Sequence, residues 1–283
     1  MAAPGPKHDS PGLPVNQLRM DRQNAAFWDE LCGTHLARSI GITEITPESI
    51  AAFDAAYFDY YPYLAHYALQ EPLLGRRVLE IGLGYGTLGQ LIAACGAEYY
   101  ALDIAEGPVR MMRDRLAALG VGDVETRVMR GSALSIPHED GSFDYVYSIG
   151  CLHHTGDTGR GVDEVRRVLR PGGRAVVMLY NARSIRHFAV PIVKLVRERW
   201  RAERREEELR RTYDSNVAGE AAPHTDFVSP GEVRQLFSGF SRVGVDVRNI
   251  QDFGFGRWRI PRRLLLGNVA RVLGVDLYIT ADK

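Results

Sequence analysis

RVLEIGLGYGTLGQ, residues 77–90, carries three structural signals in succession. Val78, Leu79 and Ile81 form an apolar run of strand length. Gly82-Leu83-Gly84-Tyr85-Gly86 breaks it, and Leu88 to Ala94 follows with the amphipathic spacing of a helix. Strand, tight glycine turn and helix make the opening unit of a nucleotide-binding α/β sheet. Glycines adopt positive φ and let the backbone approach a ligand, and the helix N-terminus offers free N–H groups. A dinucleotide fingerprint, G-x-G-x-x-G, would need its third glycine at position 87, where the chain has Thr87. Here the glycines fall at 82, 84 and 86, and an acid, Glu80, stands two residues before the first.

Downstream, strand and helix signals alternate, which predicts a parallel sheet with right-handed crossovers. Glu98 to Asp103 reads as a second strand ending in an acid, 21 residues past Gly82. A nucleotide-binding sheet places a carboxylate there to accept hydrogen bonds from both ribose hydroxyls, and Ile104 would lie against one face of the base. Pro108 to Leu119 is the next crossover helix, and Val124 to Met129 reads as a third strand. Gly141 to Ile149 reads as a fourth, running into Gly150-Cys151-Leu152-His153-His154. Ligands in open α/β sheets sit beyond the carboxyl ends of strands at the topological switch point, so Ile149 and this turn should border the reacting group. A helix over Val162 to Leu169, a turn through Gly173 and a fifth strand, Arg174 to Leu179, complete the series.

LEIGLGYG, YALD, GSALSIPHEDGSFDYVYS, CLHH and EVRRVLRPGG occur in this order over roughly residues 75 to 180. Taken together they resemble the ubiquinone/menaquinone-type branch of the class I S-adenosylmethionine (SAM)-dependent methyltransferases. The resemblance implies a Rossmann-like α/β fold with a seven-stranded sheet, mostly parallel with the last strand antiparallel. It implies SAM as cofactor, S-adenosylhomocysteine (SAH) as its product, and cofactor contacts from Glu80, Gly82, Gly84, Gly86, Asp103, Ile104, Ser132, Ala133 and Ile149. Ser132 stands where this family often carries an acid that contacts the adenine amino group. His153 and His154 are the candidate bases, since histidine titrates near neutrality. No D/N-P-P-Y/F/W follows the fourth strand, which disfavours methylation of nucleic-acid bases.

Outside this core the segments are residues 1–16 as a disordered tail, 17–74 as an N-terminal helical cap, 181–228 as a helical insertion over the substrate side, and 229–283 as the C-terminal part of the sheet. In the cap, Asn24 to Leu36 has one apolar face, Thr46-Pro47-Glu48-Ser49 opens a further helix, and Pro62 interrupts it. Tyr57, Tyr60 and Tyr61 are candidates to face the methionine moiety or the substrate, with Tyr60 as a catalytic candidate. Ser184 to Tyr213 reads as a long helix with Arg and Glu interleaved at i, i+4. Ser229-Pro230-Gly231-Glu232 is a capping box. Strands are expected at Val243 to Val247 and Asp276 to Thr280, with Arg257, Arg259, Arg262 and Arg263 between them as candidates to receive an acidic substrate.

The 283 residues carry no net charge, and 45% are hydrophobic, as in an ordinary soluble domain. Whole-chain electrostatics offers no pull toward nucleic acid or a membrane surface. Cys32, Cys95 and Cys151 have neither a metal spacing nor an even count, which suits a reduced, cytoplasmic protein. No apolar run reaches membrane-spanning length. The expectation is a small-molecule methyltransferase, monomeric or homodimeric, without a metal. The alternatives are methylation of a macromolecule and a SAM-binding regulatory protein that has lost transfer.

Overall fold

A computed structural model describes residues 13–31, 34–187, 202–255 and 258–283, without side chains at 202–205, 253–255 and 258–259. The helical cap comes first: α1 (Val15–Trp28), α2 (His35–Ser39), α3 (Pro47–Tyr60) and α4 (Leu64–Ala68). The run expected over Asn24 to Leu36 is two helices. Asp29 caps the end of α1, and the Thr34 side chain accepts from the Ala37 N–H to open α2. Thr46 and Ser49 cap α3 reciprocally, with Pro47 in its first turn, and the break expected at Pro62 separates α3 from α4. The expected tail at 1–16 lies outside the described residues up to position 12, and its last two residues belong to α1.

The sheet strands are β1 (Arg77–Ile81), β2 (Glu98–Asp103), β3 (Val128–Arg130), β4 (Phe143–Ile149), β5 (Leu169–Asn181), β6 (Phe227–Val228) and β7 (Arg242–Arg248). After them come a separate hairpin, β8 (Phe253–Phe255) with β9 (Trp258–Ile260), and the last sheet strand, β10 (Asp276–Asp282). Their order is β3-β2-β1-β4-β5-β10-β7, with β6 added parallel to β5. β10 runs antiparallel to both β5 and β7, while the pairs from β3 through β5 are parallel. The crossovers are α5 (Thr87–Ala94), α6 (Glu106–Ala118), a short α7 (Val124–Arg127) and α8 (Thr158–Val168).

Two expectations change, and a third is only partly covered by the described residues. The third strand does not begin at Val124, because Asp123 in the left-handed region starts α7 and the strand follows from Val128. The turn expected at 169–173 lies within β5: the register passes from Phe143↔Leu169 to Tyr145↔Arg174, so three extra residues bulge outward around Gly172. Helix is described at Ala202–Tyr213, but residues 188–201 of the expected Ser184 to Tyr213 helix lie outside the described residues.

Alternate residues of the strands feed two apolar cores. Leu79, Val146, Val177 and Ile279 pack with α8 and Phe237 on one face. Val78, Tyr147, Val176 and Tyr278 pack with Ile92, Met112 and Leu116 on the other. A third cluster, Leu31, Ala37, Ile42, Phe53, Tyr85 and Met111, joins the cap to the glycine turn. This cluster places the cap directly over the carboxyl ends of β1 and β4. Among the described residues, no helix is long and apolar enough to cross a membrane.

Candidate active site

β1 and β4 are neighbours at the point where strand order reverses, so the loops after them diverge and leave a crevice. The turn after β1 is fixed to the end of β2. The Leu83 N–H donates to Asp103 Oδ2 at 2.7 Å, and the Ala105 N–H donates to Oδ1 at 2.9 Å. Each carboxylate oxygen therefore uses one acceptor site on backbone and keeps another. Burial pushes the Asp103 carboxyl up to about 6 despite those two donors.

Two cavities open from this crevice. The first, about 180 Å³, is lined by Gly82, Gly84, Asp103, Ile104, Ser132, Ala133 and Ile149, and α1 covers it with Asp21, Asn24 and Trp28. The second, about 280 Å³, lies under the cap and includes Glu80, Tyr57, Tyr60, Tyr61, Tyr180, Asp214 and Asp276. Both are bordered by Trp28, Thr34, Gly82, Gly84, Ile149 and Gly150, so they meet along one seam. At that seam Gly84 has φ +51, and a Cβ built there would meet nothing within 4 Å. It presents bare backbone to open space. Gly82 differs: at φ +82 its missing Cβ makes room for the Cys151 side chain, which would otherwise lie at 2.4 Å.

The structure brings seven of the nine cofactor candidates together around the first cavity and moves two. Glu80 faces the second cavity, is 3% exposed and accepts a hydrogen bond from the Tyr99 hydroxyl. Burial pushes its carboxyl up to about 8. Gly86 borders neither cavity. At φ +74 it is the left-handed cap of α5, and a Cβ there would strike Arg115 and Met112 at 2.9 Å. Its glycine is needed for packing, not for approach to a ligand.

The catalytic candidates separate. His153 is fully buried, with its ring 4.1 Å from Tyr180, and borders neither cavity. Burial drives its pKa well below the ordinary value, so it is a neutral packing residue rather than a base in contact with a substrate. His154 lines the first cavity, with Nδ1 2.8 Å from the His224 carbonyl oxygen. That oxygen only accepts, so Nδ1 carries the proton. Burial lowers the His154 pKa more than Asp214 raises it, which keeps the ring neutral and leaves a lone pair on Nε2. Nε2 has no hydrogen-bond partner among the described residues. Tyr60 lines the second cavity, but its ring lies under the Arg262 guanidinium at 4.4 Å, and the Gln251 side chain donates to its hydroxyl at 3.4 Å.

Among the four arginine candidates, Arg262 is spent on the protein itself, donating to the Tyr60 carbonyl, the Ile250 carbonyl and Asn249 Oδ1. The Arg257 and Arg259 side chains lie outside the described residues, and Arg263 borders neither cavity. Sequence reasoning missed Asp21, Asn24, Asp214 and Asp276. An aspartate opening an otherwise apolar strand was the available signal for Asp276, which is 2% exposed. For Asn24 there was none: it is a buried polar residue in a weakly amphipathic helix, held by donation to the His154 carbonyl at 2.7 Å.

Residues 79–177 match the family described as "Methyltransferase domain". This span begins in β1 and ends in β5, and it contains both loops that form the seam. Over those residues the chain carries a methyltransferase domain. A demethylmenaquinone methyltransferase of Clavibacter sepedonicus is 36% identical over 126 residues, 44% of this chain and 46% of that one. A ubiquinone biosynthesis O-methyltransferase of Xanthomonas euvesicatoria is 27% identical over 193 residues, 68% of this chain and 72% of that one. These relatives lie on the quinone-type branch. The chain thus spans about half the length of the first of them. Phosphoethanolamine N-methyltransferase 2 of Haemonchus contortus, solved with phosphomonomethylethanolamine and SAH, has the same fold at a TM-score of 0.53. It is 16% identical and aligns over 90% of this chain and 60% of that one.

The cofactor of that domain family is SAM, and the residues of this site fit it. A buried acid closes β2 with free acceptor sites, Ile104 and Ala133 give apolar contact, and Gly84 leaves space for close approach.

Proposed function

We propose that this chain transfers the methyl group of SAM to a small-molecule acceptor. The observation that carries the reading is the seam: a nucleoside-sized cavity meets a second, aromatic and polar cavity at the glycine turn, beneath the cap. SAM supplies an electrophilic methyl on a sulfonium, and no metal is required for its transfer.

In this reading Asp103 receives the ribose hydroxyls on the acceptor sites its backbone donors leave free. Ile104 and Ala133 flank the base, Ser132 offers a hydroxyl beside it, and Gly82 and Gly84 admit the methionine end. Glu80, on the second-cavity side of those glycines, holds its proton in the free protein, and the arriving cationic end favours its carboxylate form. Trp28 and the tyrosines of the cap exclude water from the seam, which strengthens every charge interaction within it. The cap and β4 hold the acceptor's nucleophile in line with the methyl. Where that nucleophile carries a proton, His154 Nε2 has the lone pair to accept it.

Incubation of the full-length protein with methyl-labelled SAM and fractionated host metabolites tests the reading, with products detected by mass. A small-molecule fraction should gain the label and one methyl mass. Label confined to macromolecular fractions, or no turnover despite cofactor binding, would contradict it. Asp103→Ala should weaken SAH binding by about 1.5–3 kcal/mol, the scale of hydrogen bonds to a charged group. Unchanged affinity would show that the cofactor lies elsewhere.

A further inference from the structure

Acidic side chains outnumber basic ones around the second cavity. Glu80, Asp214 and Asp276 line it, with Arg186 as the one guanidinium among the described residues. Among the described residues its histidine is His35, kept from charging by burial and by Arg186. With Glu80 assigned to the cofactor side, Asp214 and Asp276 face the rest of the space. Asp276 is 2% exposed, and among the described residues its hydrogen-bond donor is Asn249 Nδ2, at 2.9 Å from Oδ2. Burial first, and the Asp214 charge in addition, push its carboxyl up to about 7, with Arg186 and Arg262 opposing. Neighbouring acids at this depth are costly without a cation between them.

A second, independent observation points to a bound donor. His154 lines the first cavity, but its Nε2, a lone pair without a hydrogen-bond partner among the described residues, lies 3.6 Å from Oδ2 of Asp214, which lines the second. Two acceptors face each other here, and Tyr180 already donates its hydroxyl to that same carboxylate oxygen at 2.9 Å. A group bearing several N–H donors, seated about 2.9 Å from each acceptor, would satisfy both. Tyr61 and Tyr180 line the same cavity, and burial holds both phenols neutral, well above their ordinary range. Neutral aromatic faces attract cations. An alcohol has a single donor and no charge to offset two carboxylates, and an anion would be repelled by them.

We infer that the acceptor is a small molecule bearing an ammonium group, received by Asp214 and Asp276 among the faces of Tyr61 and Tyr180. This deepens the methyl-transfer reading and rests on it.

The test uses the full-length protein saturated with SAH and matched pairs of probes: phenethylamine with 2-phenylethanol, and cyclohexylamine with cyclohexanol. Binding is followed by calorimetry near pH 7.5. At least one amine should bind about tenfold or more tightly than its alcohol. Asp276→Asn and Asp214→Asn should each reduce that preference about threefold or more while leaving SAH affinity within about twofold. If Asp276→Asn fails to bind SAH because it does not fold, Asp214→Asn decides alone. Equal binding of amines and alcohols, no amine binding at about 10 mM, or a preference untouched in the folded variants overturns the inference. Any of these with SAH binding intact leaves the methyl-transfer reading standing, whereas failure of the wild-type protein to bind SAH removes both.

Discussion

Gly84, His154 and Glu80 each join a side chain, or its absence, to one testable consequence. A Cβ at Gly84 points into the space the two cavities share. Gly84→Val should therefore abolish SAH binding, a loss of more than about 100-fold by calorimetry. The strain of a branched residue at positive φ costs about 1–2 kcal/mol, too little to unfold the domain. His154→Asn removes the Nε2 lone pair. For an acceptor that must lose a proton, kcat should fall about 10²- to 10⁴-fold with SAH affinity little changed. An unaltered kcat would assign His154 to the support of its turn. Glu80 carries a pH signature. Its carboxyl ionises near 4.5 when unconstrained and near 8 in the fold, where Tyr99 donates to it and the Asp103 and Arg115 charges oppose each other. Between those values the folded chain keeps a proton that the unfolded chain releases. Stability from this group is full below about pH 4.5 and is lost as pH rises through about 8. The ligand-free melting temperature should fall between about pH 5 and 8, and Glu80→Gln should flatten that fall. A slope identical in the variant would remove Glu80 as its source.

At the scale of elements, what holds the cap over the crevice is a small polar network beside an aromatic stack. Asp54 on α3 accepts from Thr87 at 2.5 Å and from both terminal nitrogens of Arg115 on α6, at 2.9 and 2.8 Å. Phe53 stacks on Tyr85 of the glycine turn, with ring centroids 3.7 Å apart. The Arg115 side chain is 4% exposed and Asp54 25%, so Arg115→Ala leaves a mostly buried carboxylate without its cation. We expect a loss of about 2–3 kcal/mol in chemical denaturation, near the low end for broken buried pairs because Asp54 retains some solvent. SAH binding should weaken with it, since the cap contributes Trp28 to both cavities. Elements with local chemical signals were legible in advance. Ser229 forms the capping box read from sequence, Thr46 caps the helix it was expected to open, and Glu98–Asp103 is the strand expected. The misread elements depended on information absent from their own windows. Val124 to Arg127 has strand-like composition, yet Asp123 turns it into helix. Phe227–Val228 is too short to register as a strand until β5 lies beside it.

For the whole molecule, the order β3-β2-β1-β4-β5-β10-β7 creates the crevice and decides which distant residues share it. The lining of the first cavity was readable because Gly82, Gly84, Asp103, Ile104, Ser132 and Ala133 follow strands in sequence order. The lining of the second cavity was not. Asp214 and Asp276 are separated by 62 positions, and they meet only because β10 returns antiparallel between β5 and β7 while the segment before Asp214 folds over Tyr180. Likewise, His153 and His154 are adjacent in sequence but differ in role, because only one side chain of the turn reaches a cavity. The measurement that tests the account most directly is a crystal structure of the full-length protein grown with SAH. The account predicts the nucleoside in the first cavity, its ribose hydroxyls on Asp103, its base beside Ile104 and its sulfur at the Gly84 seam. A ribose held by other residues, or a first cavity left empty at saturating SAH, would contradict it.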